Sequence, residues 1–173
     1  MIEIKEISFI QNMYVTYLTI PPAYEKLVKS IACSRTSCLS TSYKNKNQGA
    51  LLKATTKLLA PFINRIQSSL NYKKHKVKEV WVQRYGPGDF HNVHIHDTAA
   101  NQFSFLINVE CNQFSSDTVF HNPGYPYCSL AEVVIKPVKG KCILFLGALP
   151  HEVLPNRAGA QRSVVSGNLE FLK

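Results

Sequence analysis

The sequence predicts a mainly β protein of the α+β class, in which helices come first and an antiparallel sandwich or barrel of short strands follows. In the first third of the chain, apolar residues recur every three or four positions, which is typical of amphipathic helices. After residue 76 the period falls to two, or the apolar runs become short and are separated by Gly, Pro, Asn and Asp. With 173 residues, 45% of them hydrophobic, the chain can bury one ordinary core. We therefore expect a single domain over residues 1–173.

Within that domain, residues 1–75 are expected to form N-terminal strands and supporting helices, and residues 76–173 the β core. Pro21-Pro22 favours a helix start, because proline fits the first helical turn. Pro61 interrupts a long amphipathic pattern, so we expect a bend there. The predicted elements are strands at 2–9 and 14–20, helices at 22–32 and 50–70, a loop at 34–49, and strands at 77–86, 103–110, 117–123, 130–137, 141–147 and 162–171.

Charge and cysteine content narrow the classes of partner and compartment. Lys and Arg number 20 against 11 Asp and Glu, a net charge of +9, which we interpret as a solvated basic surface that favours an anionic partner only slightly. Five cysteines without a CxxC pair indicate free thiols rather than a disulfide framework or a zinc ribbon. Charges at Glu3, Lys5 and Glu6 argue against a signal peptide, and no apolar run approaches the roughly 20 residues of a membrane span. We expect a cytoplasmic protein without a membrane partner.

The stretch HNVHIHD, residues 91–97, is the strongest candidate for a metal site. His94 and His96 are two residues apart, so on an extended strand both side chains project from one face and can chelate one ion. By itself the pair is weak evidence. A second segment, GKCILFLGALPHEVLPNRAGAQRSVVSGNLEF, runs an apolar strand up to His151 and returns from Arg162. We expect this segment to form a hairpin-like unit that carries both residues.

At these motifs the sequence resembles the 2-oxoglutarate and Fe(II)-dependent oxygenases, in particular small prolyl-4-hydroxylase-like members. The resemblance covers roughly Val80 to Phe171 and rests on the order and spacing of four pieces. It implies a double-stranded β-helix, the jelly-roll or cupin-like architecture, with N-terminal flanking helices. The four pieces are WVQRYGPGDFHNVHIHD, the HNP of TVFHNPGY, GKCILFLGALPHEV and RSVVSGNL.

The resemblance also implies roles for three residues. The first metal histidine of the family falls on His94, the distal one on His151, and the arginine that grips 2-oxoglutarate on Arg162. A planar guanidinium holds a carboxylate through two parallel hydrogen bonds, which lysine does not reproduce.

One position departs from the family pattern of His-x-Asp or His-x-Glu. Two residues after His94 stands His96, and the carboxylate comes one residue later as Asp97. On a regular strand Asp97 points away from the face shared by the histidines, so we predict a metal site of His94, His96 and His151. The alternative is Asp97 as the ligand, re-aimed by a bulge.

Residues near these motifs also have expected positions or roles. His91 precedes His94 by three residues, so it faces the opposite way on an ideal strand, and we expect it either in contact with a metal ligand or, preferably, at the surface. Trp81 is expected in the core, and Tyr85 is a candidate donor to the keto acid, since a buried phenol seeks a polar partner. The polar strand residues Asn108 and Asn168 either line the pocket or are satisfied inside the core.

The predicted function is that of an Fe(II)- and 2-oxoglutarate-dependent dioxygenase that hydroxylates a protein side chain or a small molecule. The main alternative is a cupin-like metal-binding barrel that consumes no keto acid and has no need of Arg162 near the metal. A second alternative is a binding module that has lost iron. A nucleic acid partner is not expected, because the His-x-Asp signature and a second arginine after Arg162 are both missing from the sequence.

Overall fold

The computed structural model describes residues 4–7, 13–45, 48–125 and 131–173, and these build two antiparallel sheets and two helices. The helices are α1 (Pro22–Ser30) and α2 (Gly49–Ser69). The strands are β1 (Ile4–Ile7), β2 (Met13–Tyr17), β3 (Ser34–Arg35), β4 (Ser40–Thr41), β5 (Lys74–Tyr85), β6 (His91–His94), β7 (Gln102–Glu110), β8 (Thr118–His121), β9 (Glu132–Ile135), β10 (Lys141–Leu146), β11 (His151–Val153) and β12 (Arg162–Leu172).

The chain passes repeatedly from one sheet to the other. The large sheet has the order β1-β2-β10-β7-β12-β5-β4-β3, and the small sheet has the order β6-β11-β8-β9. From β5 to β8 each strand lies in the sheet opposite its predecessor, and the same holds from β9 to β12. Residues that are distant in sequence are therefore brought together between the sheets.

Two apolar clusters fill the molecule, one on each face of the large sheet. On the outer face, α1 and α2 pack through residues such as Val28, Leu59 and Phe62, which confirms that the helices support a sheet. The other face packs against the small sheet through residues such as Phe120 and Phe145. The apolar spacing of α2 places its buried residues on one side. The candidate site lies in the layer between the two sheets.

Most of the elements predicted from periodicity are confirmed to within a few residues. The loop predicted at 34–49 is partly wrong, because it contains the short strands β3 and β4, which join the edge of the large sheet at β5. Two-residue strands are too short to leave a periodic signal. Pro61 lies inside α2 on its exposed side. Within the strand predicted at 2–9, residues 4–7 form β1, and the other residues lie outside the described ranges.

The predicted hairpin-like unit of His151 and Arg162 is wrong. His151 begins β11 in the small sheet, whereas Arg162 begins β12 in the large sheet, where β12 pairs with β5 and β7. The two residues still line one cavity, because the two strands face each other across the inter-sheet layer.

Cysteine and hydropathy features agree with the sequence analysis where they are described. The described cysteines, Cys33, Cys38, Cys111 and Cys142, are all free, while Cys128 lies outside the described residues. Neither α1 nor α2, the helices of the described ranges, combines the length and apolar character needed to cross a lipid bilayer.

Gly167 lies in the tightly packed central strand β12, where a larger residue would not fit. A Cβ at this position would lie 2.5 Å from the carbonyl oxygen of Glu79 and against the ring of Phe105. Neither can move freely inside the sheet, so Gly167→Ala is expected to lower the free energy of unfolding by about 1 to 3 kcal/mol, as overpacked cores do. Urea unfolding measures the change. Gly49→Ala is the matched control, because a Cβ there meets open space and should change stability by less than about 0.5 kcal/mol.

Candidate metal centre

Three histidines from two segments of the chain meet between the sheets. Each of His94, His96 and His151 offers one ring nitrogen, and these nitrogens lie within 4.8 Å of one another. His94 ends β6 and stands directly opposite His151 of β11. His96 follows two residues later, and its backbone N–H donates to the carbonyl of Gly147 at 2.8 Å. The arrangement suits a divalent metal that binds imidazole.

Gly147 explains how the segment that carries His96 reaches this position. A Cβ at residue 147 would lie 2.5 Å from the carbonyl oxygen of Asp97. The backbone of residues 96–97 therefore packs directly on a glycine. The amide of Gly147 is itself fixed to the carbonyl of Gln102 at 2.9 Å, so the contact is anchored to β7.

The histidines are held in the form that metal binding requires. Burial lowers the pKa of His96 to about 4 and that of His151 well below its ordinary value, so both are neutral at pH 7. The pKa of His94 is also lowered by burial. The Nδ1 of His94 lies 2.7 Å from the carbonyl of Asn92, and that of His151 lies 2.9 Å from the carbonyl of Leu149. A carbonyl only accepts, so each Nδ1 carries the proton and each Nε2 lone pair is free for a metal.

The prediction that His91 lies at the surface is wrong. The ring centroids of His91 and His94 are 3.9 Å apart, and His91 lines the same cavity as the histidine cluster. The cause is a register shift: His151 pairs with His94 and Val153 with His91, so β6 has one residue more than β11 over this stretch. The extra residue brings positions 91 and 94 to the same face. Burial, followed by the nearby His94 and His96, lowers the pKa of His91 to about 4.

Asp97 is not brought to the cluster. Its side chain is exposed, and its Oδ1 accepts a hydrogen bond from the backbone N–H of Ala99 at 3.1 Å. The geometry therefore favours the three-histidine set over the arrangement with a carboxylate ligand.

Arg162 is a buried cation in the cavity that the histidine cluster also lines. Only 2% of the residue is exposed. Its Nε donates to Asn108 Oδ1 at 3.1 Å, Nη1 to the carbonyl of Ser116 at 2.9 Å, and Nη2 to Thr118 Oγ1 at 2.8 Å. All three acceptors are neutral, and no carboxylate of the described residues forms an ion pair with the guanidinium. Burial lowers the pKa of Arg162, yet a guanidinium stays charged in proteins.

Tyr85 lies beside this guanidinium on the neighbouring strand. Tyr85 of β5 is paired with Arg162 of β12, and its ring centroid is 5.7 Å from the guanidinium carbon. Burial raises its pKa, so the phenol is neutral. Among the described residues its hydroxyl has no hydrogen-bond partner. A buried phenol in this state is available as a donor to a ligand.

The sequence left the roles of Asn108 and Asn168 open and placed Trp81 in the core. Asn108 fixes Arg162, whereas Asn168 accepts from Ser104 and donates to Glu79, away from the site. Trp81 is buried as expected, but its ring also approaches that of His96 at 5.9 Å.

Gln83 was not singled out from the sequence, although a signal for it exists. It lies between Trp81 and Tyr85 on an alternating strand and therefore shares their face. Its Oε1 accepts from the hydroxyl of Ser166 at 2.8 Å, and its Nε2 donates to Nδ1 of His91 at 3.3 Å. Thr118, by contrast, carried no signal of its role in the sequence.

Solved structures with this fold are found, although no protein-family model and no curated protein matches the chain. The collagen prolyl hydroxylase of Paramecium Bursaria Chlorella virus-1, in a 2-oxoglutarate complex, is 15% identical with a TM-score of 0.64, over 93% of this chain and 96% of that chain. A prolyl-4-hydroxylase of Pseudomonas putida is 15% identical with a TM-score of 0.62, over 93% and 92%. HygX of Streptomyces hygroscopicus, with nickel and 2-oxoglutarate bound, is 10% identical with a TM-score of 0.63, over 91% and 82%.

These similarities define the class of fold. The chain has the fold of the 2-oxoglutarate and Fe(II)-dependent oxygenases, including the prolyl hydroxylases. The resemblance inferred from the sequence is thereby confirmed at the level of the fold.

The lowered histidine pKa values predict how the stability of the metal-free protein depends on pH. Unfolded histidines titrate near 6.5, whereas folded His91 and His96 titrate near 4. Between these values the unfolded chain binds more protons, so the free energy of unfolding should fall as the pH drops from about 6.5 towards 4. Above about pH 6.5 these histidines contribute no slope. Urea unfolding with a chelator present measures this, and His91→Phe should make the slope shallower. A flat profile between pH 6.5 and 4 would contradict the assignment.

Proposed function

We propose that this protein is an Fe(II)- and 2-oxoglutarate-dependent dioxygenase that hydroxylates a protein side chain or a small molecule. The observation that carries the proposal is the buried guanidinium of Arg162, which lacks a carboxylate partner among the described residues and shares a cavity with three neutral histidines. A buried cation of this kind is costly unless an anion joins it. The fold shared with 2-oxoglutarate oxygenases supports the choice of that anion.

The metal would be held by His94, His96 and His151. Two of these have Nδ1 fixed as a donor to a backbone carbonyl, which orients the ring and leaves Nε2 for the metal. Three ligands on one side leave positions open for the keto acid and dioxygen. When bound, Fe(II) supplies the redox chemistry that couples oxidative decarboxylation of 2-oxoglutarate to hydroxylation of the substrate.

The keto acid would lie between the histidines and Arg162. The guanidinium binds the distal carboxylate, and Tyr85 is placed to donate a further hydrogen bond. Three N–H groups of the guanidinium donate hydrogen bonds to Asn108, Ser116 and Thr118. These hydrogen bonds hold the guanidinium in one orientation. The dianion then neutralises a charge that the protein leaves unpaired.

The architecture proposed for this activity is a double-stranded β-helix, or jelly roll, within one domain. Its support is the passage of the chain between the sheets from β5 to β12. Residues before 75 add β2 and β4 to the same large sheet, so a division near residue 75 marks a change of element type within one domain. The free cysteines agree with the cytoplasmic location that we propose.

A cupin-like metal protein without keto-acid chemistry is the competing function. It needs the three histidines but no buried guanidinium beside them. The neighbours favour an enzyme that acts on a polypeptide or a small molecule, because one is in complex with a hypoxia inducible factor peptide and another with hygromycin B. Nucleic acid is not part of the proposal.

Metal binding is tested by His151→Ala. Removing one of three ligands should abolish stoichiometric binding of Fe(II), measured by anaerobic titration, while circular dichroism stays unchanged. Asp97→Ala is the control and should keep the affinity for Fe(II) within a few fold. The Asp97 carboxylate accepts a hydrogen bond from the backbone N–H of Ala99 and is not part of the histidine cluster. A loss beyond the roughly 10- to 100-fold expected of outer-shell partners would transfer the ligand role to Asp97.

Keto-acid binding is tested by Arg162→Ala and Arg162→Lys. Removing one partner of a buried ion pair costs about 3 to 5 kcal/mol, or about two to four decades of affinity. Lysine should also bind 2-oxoglutarate much more weakly, since it cannot supply the fork. Calorimetric titration into metal-loaded protein measures the affinity.

Arg84→Lys is the matched control for these variants. Arg84 donates to the carbonyls of Val28, Lys29 and Ile31, away from the cavity. Its variant should bind 2-oxoglutarate normally. An unchanged dissociation constant in Arg162→Ala would favour the cupin-like function.

A further inference from the structure

A second cavity is lined in part by the histidine cluster. This outer cleft is lined by Trp81 and by residues of two segments, among them Thr36, Leu39 and Tyr43 of the first and His91, Asn92 and Ile95 of the second. His94 and His96 line both the outer cleft and the inner cavity that contains Arg162. A molecule in the outer cleft would therefore lie next to the histidine cluster.

The outer cleft has no ionised side chain among its described lining residues. The chain carries 20 Lys and Arg and 11 Asp and Glu, yet none of these lines it. Arg35, which precedes the lining residue Thr36, forms an ion pair with Asp89 at 2.6 Å. A charged group entering the cleft would lose hydration and gain no counter-charge from the described side chains that line it, which is unfavourable.

The lining of the cleft includes exposed apolar groups. Tyr43 is 56% exposed and packs edge-on against the buried Trp81, with ring centroids 5.0 Å apart. Ile95, which also lines the cleft, is 49% exposed. The cleft has a volume of about 470 Å³, within the roughly 300 to 1,000 Å³ of small-molecule sites. Its shape and chemistry fit a small ligand with an apolar or aromatic face.

We propose that the outer cleft binds the substrate to be oxidised, that this substrate is a small uncharged molecule with an aromatic or apolar face, and that Tyr43 determines this specificity. The inference rests on the proposed oxygenase function, since it assigns the second substrate of that reaction. It also corrects the expectation from net charge, which slightly favoured an anionic partner. The net charge of +9 does not extend to the described walls of this cleft.

The chain provides its own reporter, because Trp81 is its only tryptophan. Benzamide, benzoate and benzamidine have nearly the same shape but are neutral, anionic and cationic. Each is titrated into Zn(II)-loaded protein with excess 2-oxoglutarate, and Trp81 emission is recorded. Zn(II) is redox-inert, so no turnover interferes. Benzamide should bind at least 10-fold more tightly than either charged probe.

Two variants assign the signal to the outer cleft. Tyr43→Ala removes one aromatic wall and should weaken benzamide binding about 3- to 10-fold. Tyr17→Ala is the matched control, because Tyr17 is similarly exposed at 59% but lies on β2, away from the cleft. Ile95→Lys places a cation in the lining of the cleft. This variant should therefore bind benzoate more tightly than benzamide.

The outcomes separate this proposal from the proposed function. Tyr43-dependent binding of benzoate or benzamidine as tight as that of benzamide overturns it, and so does a lack of benzamide binding. Saturable binding of a blocked Ala-Pro-Ala peptide without benzamide binding assigns the cleft to polypeptides and also overturns it. Failure of 2-oxoglutarate to bind in the calorimetric test refutes the oxygenase function instead, and is read independently of Trp81.

Discussion

The placement of one buried charge constrains the rest of the site. Arg162 begins the central strand β12, is 2% exposed, and satisfies three N–H groups with neutral acceptors from Asn108, Ser116 and Thr118. Neutral hydrogen bonds orient a guanidinium but do not cancel its charge, so an anion from outside the chain stabilises this arrangement most. The long strand fixes the cation, and the facing small sheet brings the histidines to the same layer.

The histidine cluster changes the electrostatics that a dianionic ligand would meet. A site of three neutral imidazoles leaves the full charge of a divalent metal, whereas a carboxylate ligand would remove one unit of it. With Arg162 at the other end of the cavity, a dianion would lie between two cationic centres. The lowered pKa values of His94, His96 and His151, each due first to burial, keep the imidazoles neutral and ready to bind the metal at pH 7.

Periodicity predicted the long elements and the shared face of His94 and His96, and the family resemblance added His151, but neither predicted details that depend on register. The role of α2 and the burial of Trp81 followed from regular spacing. His91 was misplaced because a one-residue bulge in β6 reverses its facing, and alternation in a sequence does not reveal a bulge. His151 and Arg162 were brought together for a wrong reason: they meet across two sheets. Partner choice among strands depends on long-range contacts that local patterns do not encode.

The charged side chains of the described residues lie away from the lining of the outer cleft beside the histidine cluster. Lys74, Lys76 and Lys78 alternate along the exposed first half of β5, whereas the second half of the same strand supplies Trp81 and Tyr85 to the cavities. A single strand thus carries a solvated basic surface at one end and an uncharged wall at the other. Fields from exposed lysines are screened within about 10 Å at ordinary ionic strength, so they act on encounter more than on bound ligands. Under the function proposed above, selection at the site would depend on the residues that line it: Arg162 for a carboxylate in the inner cavity, and aromatic and aliphatic groups for a neutral molecule in the outer cleft.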